Sequence, residues 1–244
     1  MKKIIFGGIL ILAINQNQFA QKIKPTQSEQ WFDSGLTHYE NGDYKEAVAF
    51  LSKFIRKNPH NVEAYVLRNR CYRNLGKFDI VIDDATVMLN KFPKNADLYY
   101  ARAYAYANVG ENKLAIKDYS KAIKLNPEEA NIFFNRGLAY DQIGNLHKAV
   151  EDYTRAICLQ PEDPDFYFSR ALAYESLKNN EPAIQDYSKA LELSPGDPEV
   201  YFNRAILFAQ SKLYDNACSD LQIVRDMEFE KEEAEILYES FCNK

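Results

Sequence analysis

Arg136 stands on a helix face that Phe133, Gly137 and Tyr140 mark as buried, and Asp152 follows sixteen residues later beside Ala149 and Tyr153. A cation and a carboxylate on two apolar faces fit three roles: an acid–base pair, an anion site or an internal ion pair. Recurrence decides between them. Arg68, Arg102, Arg136, Arg170 and Arg204 share one register, and Asp84, Asp118, Asp152, Asp186 and Asp220 share another, always sixteen residues on. Catalysis needs one water-excluding pocket with mixed groups, not five copies of the same pair. The ten residues therefore read as a structural ladder that fixes helix register. One period before Arg68 and Asp84 stand Ser34 and Phe50, so the first position has neither member. Pairing within a period accounts for this, because pairing to the preceding one would set Arg68 against Phe50. A buried ion pair adds little net stability, yet loss of one partner costs about 3–5 kcal/mol.

Other chemistry is sparse. His38, His60 and His147 are scattered, and no Cys/His spacing suits a metal ion. There is no Gly-rich phosphate loop, nucleophile elbow or dinucleotide fingerprint. No cofactor, metal or enzymatic activity is expected. The 30 Lys+Arg against 35 Asp+Glu give a net charge of −5, with no basic cluster of the kind that grips phosphate backbones, which excludes nucleic acid as a partner.

The elements that must position the ladder come from self-similarity. Pro59, Pro93, Pro127, Pro161 and Pro195 are spaced 34 apart, and Gly42, Gly76, Gly110 and Gly144 keep the same period. So do Ala47, Ala115, Ala149, Ala183 and Ala217, with Val81 in the second place. Each period predicts two helices, the first stopped at the glycine and the second ended by the proline. The alanine of the second helix is expected to face Gly35, Ala103, Gly137, Ala171 or Ala205 and let two backbones approach. Neither helix buries its apolar side alone, so stacked units make the core.

The "WFDSGLTH" opening and the A…P ending of each period resemble the tetratricopeptide repeat. That resemblance implies an all-α fold: a right-handed α-solenoid of about six 34-residue helix-turn-helix units. They would span 28–231 (28–61, 62–95, 96–129, 130–163, 164–197, 198–231), after a short lead at 21–27. Lys178 and Lys212 replace the turn glycine in units 5 and 6, Phe229 replaces the last proline, and His38 stands where later units have an aromatic. Residues 232–244 follow with Ala234, Leu237, Tyr238 and Phe241 on one stripe, an amphipathic helix able to cap the last unit.

In this family the first helices line the concave side. The positions that the resemblance puts there are Phe32, Val66, Tyr100, Phe134, Phe168 and Phe202, and beside them Leu36, Arg70, Tyr104, Leu138, Leu172 and Ile206. Phe32, Tyr100, Tyr104, Phe134, Leu138, Phe168, Leu172 and Phe202 are the candidate partner-binding residues, as exposed apolar strips mark contact surfaces. The bland alternative is packing between neighbouring first helices. Glu63, Asp97, Asp141, Asp165, Glu175 and Glu199 rim the strip, so the expected partner is a protein or peptide with apolar anchors and some basic character. Chaperone-binding relatives hold a terminal carboxylate with groove Lys and Arg; here Phe, Leu and Asn fill those places, with only Arg70 and Arg73 nearby, so that activity is not expected. A structural subunit that works through its ends or convex face is the competing reading.

The N-terminus pairs Lys2 and Lys3 with the apolar run from Ile4 to Ile14, too short to span a bilayer and suited to a signal peptide over 1–20, cut after Ala20. Export to a periplasm or to the outside is expected, with an uncleaved membrane anchor as the alternative, and loss of Lys2 and Lys3 on cleavage would carry the net charge from −5 to about −7. The "ACSDL…FC" ending resembles the last repeat and cap of exported bacterial members of the family. In an oxidising compartment Cys218 and Cys242 would either bond and staple the cap or remain two packed thiols. Cys71 and Cys158, two units apart, are too far to bridge.

Overall fold

The computed structural model describes residues 25–227, 229 and 232–242. The signal peptide read over 1–20 lies outside them, as do 21–24 of the lead. Among the described residues there are thirteen α-helices and no strand. They fall into pairs: α1 (Gln27–Glu40) with α2 (Tyr44–Lys57), α3 (Val62–Asn74) with α4 (Phe78–Lys91), and α5 (Ala96–Asn108) with α6 (Asn112–Leu125). After them come α7 (Ala130–Gln142) with α8 (Leu146–Leu159), α9 (Pro164–Ser176) with α10 (Asn180–Leu193), and α11 (Pro198–Gln210) with α12 (Tyr214–Asp226). A single helix, α13 (Glu232–Cys242), closes the series.

Local signals set these boundaries. Thr26 and Glu29 form a capping box at the start of α1, and the side chains of Asn61 and Asn95 accept from the first turns of α3 and α5. Asp163 and Asp197 cap α9 and α11, with Pro164 and Pro198 in the first turn, where a missing N–H costs nothing. Within each pair the turn needs one left-handed residue. Gly144 supplies it at φ +75° between α7 and α8, and Lys178 and Lys212 take the same conformation at +61° and +63°. The hydrogen bonds that terminate the first helix are kept: Asn145 N donates to Tyr140 O at 2.9 Å, and Asn179 N donates to Tyr174 O at 2.9 Å. Lysine is thus tolerated there, against the steric preference for glycine.

Each helix packs on the one before and the one after. First helices of adjacent units also touch, α1 with α3, α3 with α5, α5 with α7 and α7 with α9, while the second helices make no comparable contact. A layer whose members meet is the shorter one, so the first helices form the inner side of the curve. The repeated alanines Ala47, Ala115, Ala149, Ala183 and Ala217, with Val81, are wholly buried.

One packing expectation is refined. The small position of the first helix shares its core cluster with the repeated alanine, but the side chain that comes nearest to it belongs to the residue four places later. A Cβ on Gly35 would lie 2.7 Å from Leu51 Cγ, and one on Gly137 would lie 2.6 Å from Tyr153 Cε1. The glycines make room first for a large side chain, and at Gly35 the backbone N of Leu51 also lies 3.5 Å from the added Cβ. The same sixteen-residue register pairs Ala103 with Tyr119 and Ala171 with Tyr187 in shared core clusters.

Candidate functional site

The ladder residues come together within each unit. Arg102, Arg136, Arg170 and Arg204 each donate through Nε and Nη2 to both carboxylate oxygens of Asp118, Asp152, Asp186 and Asp220, at 2.6–3.0 Å. Such forks are the strong form of charge-assisted hydrogen bond. In unit 2, Arg68 reaches only one oxygen of Asp84, through Nη2, and its buried Nε has no partner. For Arg136, burial works against the charge, but the hydrogen bonds and charge of Asp152 outweigh it and hold the guanidinium above its ordinary pKa.

The sequence reading missed the second half of each rung. Nη1 of every ladder arginine donates to a hydroxyl on the preceding unit: Arg68 to Ser52, Arg102 to Thr86, Arg136 to Ser120, Arg170 to Thr154 and Arg204 to Ser188, at 2.9–3.2 Å. These hydroxyls also recur every 34 residues, a signal that was present in the sequence. The rungs therefore join units as well as helices. At the far end Tyr238 of α13 occupies the arginine register and donates to Gln222 Oε1 at 2.9 Å, in the hydroxyl register. The cap is in effect a first helix without its second. Cys218 and Cys242 are bonded, with their Cα atoms 5.5 Å apart, which ties α12 to α13.

The inner face carries the partner-binding candidates, and the structure treats them unequally. Phe32, Tyr100, Tyr104, Phe134 and Phe168 are half-buried, while Leu138 and Leu172 are 36% and 38% exposed. Phe202 is only 5% exposed, because it packs in a cluster with Ala234, Leu237 and Tyr238 of the cap. It is therefore a core residue rather than a groove residue. One period further, Ile236 of α13 holds the same position at 55% exposure. Three of these half-buried rings lean on a buried tyrosine of their own unit, with centroids 5.9 Å apart for Tyr100–Tyr119, 5.7 Å for Phe134–Tyr153 and 5.9 Å for Phe168–Tyr187. The groove floor is thus braced from beneath by the core.

Charge divides the groove. Toward the N-terminal end, Arg73 stacks on Tyr104 with its guanidinium carbon 3.8 Å from the ring centroid, and Arg70 lines a cavity of about 370 Å³ with Phe32, Leu36, Val66, Glu63 and Asp97. Toward the C-terminal end, α7 and α9 place Asp141 and Glu175 one turn beyond Leu138 and Leu172, with no cation at the groove positions. Glu175 Oε2 accepts from the Tyr187 hydroxyl at 2.8 Å. Asp141 is one methylene shorter and makes no such bond, leaving the buried Tyr153 hydroxyl without a partner. Burial pushes the Asp141 carboxyl above the usual aspartate range. Among the described residues, no three His, Cys, Asp or Glu side chains gather as metal ligands would, and no helix is long and apolar enough to cross a membrane.

Stacked helix pairs with an inner groove define a helical-repeat solenoid. A TPR-repeat family matches residues 109–144 and a tetratricopeptide-repeat family matches 32–79 and 134–198, together more than half of the 244 residues. The chain belongs to the tetratricopeptide repeat family. Among solved structures it is similar to MamA, at 28% identity over 69% of this chain and 92% of that one, with a TM-score of 0.61. It also resembles TTC0263, a thermophilic tetratricopeptide protein of Thermus thermophilus, at 23% identity over 75% and 99% of the two chains, TM-score 0.59. YrrB, a tetratricopeptide protein with an unusual peptide-binding site, matches at 17% identity over 75% and 95%, TM-score 0.67. The last two likenesses are of fold. No curated protein matches the sequence at comparable stringency.

Proposed function

We propose that this chain is an exported, non-enzymatic interaction scaffold that holds a peptide or helix of a partner protein along its groove. The observation that carries the reading is the apolar strip on the inner helices: Leu138 and Leu172 stand exposed beside the half-buried rings of Phe134 and Phe168. An apolar surface kept open on a braced floor gains most by being covered. The acidic rim favours a partner with apolar anchors and basic character. Export is supported by the basic-then-apolar start of the sequence and by the Cys218–Cys242 bond, which persists in oxidising compartments.

The test pairs Phe134→Ala with Phe168→Ala. Affinity capture from the native envelope should lose its specific partner, while helicity by circular dichroism and a single cooperative melt remain. Capture that survives with the fold intact would move the contact to the ends or the convex face, and the chain would be a structural subunit.

A further inference from the structure

The C-terminal half of the groove differs from the rest in charge balance: Glu63 and Asp97 stand near Arg70 and Arg73, but the acids further on have no groove cation beside them. Its first-helix positions carry Asp141, Asp165, Glu175 and Glu199, and its arginines Arg136, Arg170 and Arg204 are all held by the ladder. No groove position of α7, α9 or α11 holds a cation, whereas α3 contributes Arg70 and Arg73. Asp165 and Glu199 also serve the N-termini of their own helices, so they are not the most telling pair. Asp141 and Glu175 stand near the C-terminal ends of α7 and α9, where a negative charge opposes the helix dipole. They sit there at a cost.

A second observation comes from below. Tyr153 is wholly buried and its hydroxyl meets no protein group. Its register is that of Tyr187, whose hydroxyl donates to Glu175, so the Tyr153 hydroxyl faces Asp141. Burial and the Asp141 charge both oppose ionisation of Tyr153, which keeps its proton and stays a donor. A donor without an acceptor and a carboxylate without a cation thus lie together under an apolar strip.

Resting on the groove reading above, we infer that the α7–α9 stretch seats a lysine or arginine side chain of an extended partner segment. The cation meets Asp141 and Glu175, and the partner's apolar neighbours lie on Phe134, Leu138, Phe168 and Leu172. The partner's cation supplies the counter-charge that Asp141 lacks among the described residues. The groove then reads the partner's direction as well as its apolarity, because only toward its C-terminal end are the carboxylates left without a neighbouring groove cation.

Fluorescein-labelled peptides with alternating leucine and lysine, the same with glutamate for lysine, and the same with alanine for leucine test this by anisotropy. The leucine–lysine peptide should bind roughly tenfold more tightly than either other, and Asp141→Asn with Glu175→Gln should remove roughly that factor. Asp79→Asn with Asp83→Asn, an equal change of net charge on the second helix α4, should alter affinity by less than about twofold at physiological salt. A melt matching the parent protein checks that the groove variant is folded. If lysine and glutamate peptides bind equally and both are lost with Phe134→Ala and Phe168→Ala, the cation seat is overturned and the groove stands. If none of the three binds at about millimolar concentration, both fall.

Discussion

In unit 4 the small residue of the first helix is Gly137 and the large residue facing it is Tyr153; in unit 2 those places hold Asn69 and Ala85. The bulk has moved from the second helix to the first. Both pairs are fully buried apart from a few atoms, so the register tolerates the exchange in volume. It does not tolerate it in polarity. Neither amide atom of Asn69 finds a partner, and the rung beside it, Arg68 with Asp84, has one prong where unit 4 has two. The side chain of Asp84 is 21% exposed, against 6% for Asp152. The ring that braces the groove is also missing, since Val66 and Ala85 stand where unit 4 has Phe134 and Tyr153, and the cavity beside Val66 opens there. A single exchange at the centre of a unit thus goes with a looser rung and a deeper groove.

The ladder gives the largest way to break this comparison. Arg136→Ala leaves Asp152 buried and unpaired and removes the bond that Ser120 Oγ accepts, though Ser120 still donates to Ile116 O, so it should cost about 3–5 kcal/mol in a urea unfolding series. Adding Asp152→Ala should recover much of that loss. Arg68→Ala should cost less, about 1–2 kcal/mol, because Asp84 keeps contact with water. Equal losses in the two units would remove the distinction between one prong and two.

The small-against-large pair comes next. Gly137→Ala drives a methyl into the Tyr153 ring and should destabilise by about 1–3 kcal/mol, toward the lower end because Ala103 and Ala171 coexist with Tyr119 and Tyr187. Asn69→Ala with Ala85→Leu rebuilds in unit 2 the pair that unit 6 has in Ala205 and Leu221. It should raise stability by about 1 kcal/mol, since a buried unpaired amide is removed and its volume replaced. A loss in that double variant would mean that Asn69 has a role its surroundings do not show.

Periodicity explains how much of this was legible. Helix pairs, turns and the sixteen-residue rungs recur, and five or six copies turn a weak local signal into a strong one. Even Lys178 and Lys212 could be placed in the left-handed turn, because their neighbours keep the period. The hydroxyl ladder was equally periodic, but Ser and Thr alternate in it and read as surface residues. What the sequence hid was which residue faces which. The four-residue offset between Ala149 and Tyr153 is a matter of how two helices lean, and the burial of Phe202 depends on where α13 comes to rest. The repeat gives every first helix the same residue plan, while the cap decides which of them stays open.

The thiols offer the smallest effect and the finest probe. Cys71 lies in the core of unit 2, where burial pushes its pKa up to about 11, and Cys158 lies exposed on α8 of unit 4. At pH 8 the reactive thiolate of Cys71 is therefore scarce and shielded, so iodoacetamide should label Cys158 and spare Cys71, as read by mass spectrometry. Labelling then follows opening of unit 2 as denaturant is added. If the exchange of Asn69 and Ala85 weakens that unit, Cys71 should become reactive before helicity falls. If Cys71 reacts only in step with helix loss, unit 2 opens with its neighbours, and the rungs from Arg68 to Ser52 and from Arg102 to Thr86 hold it in the cooperative whole.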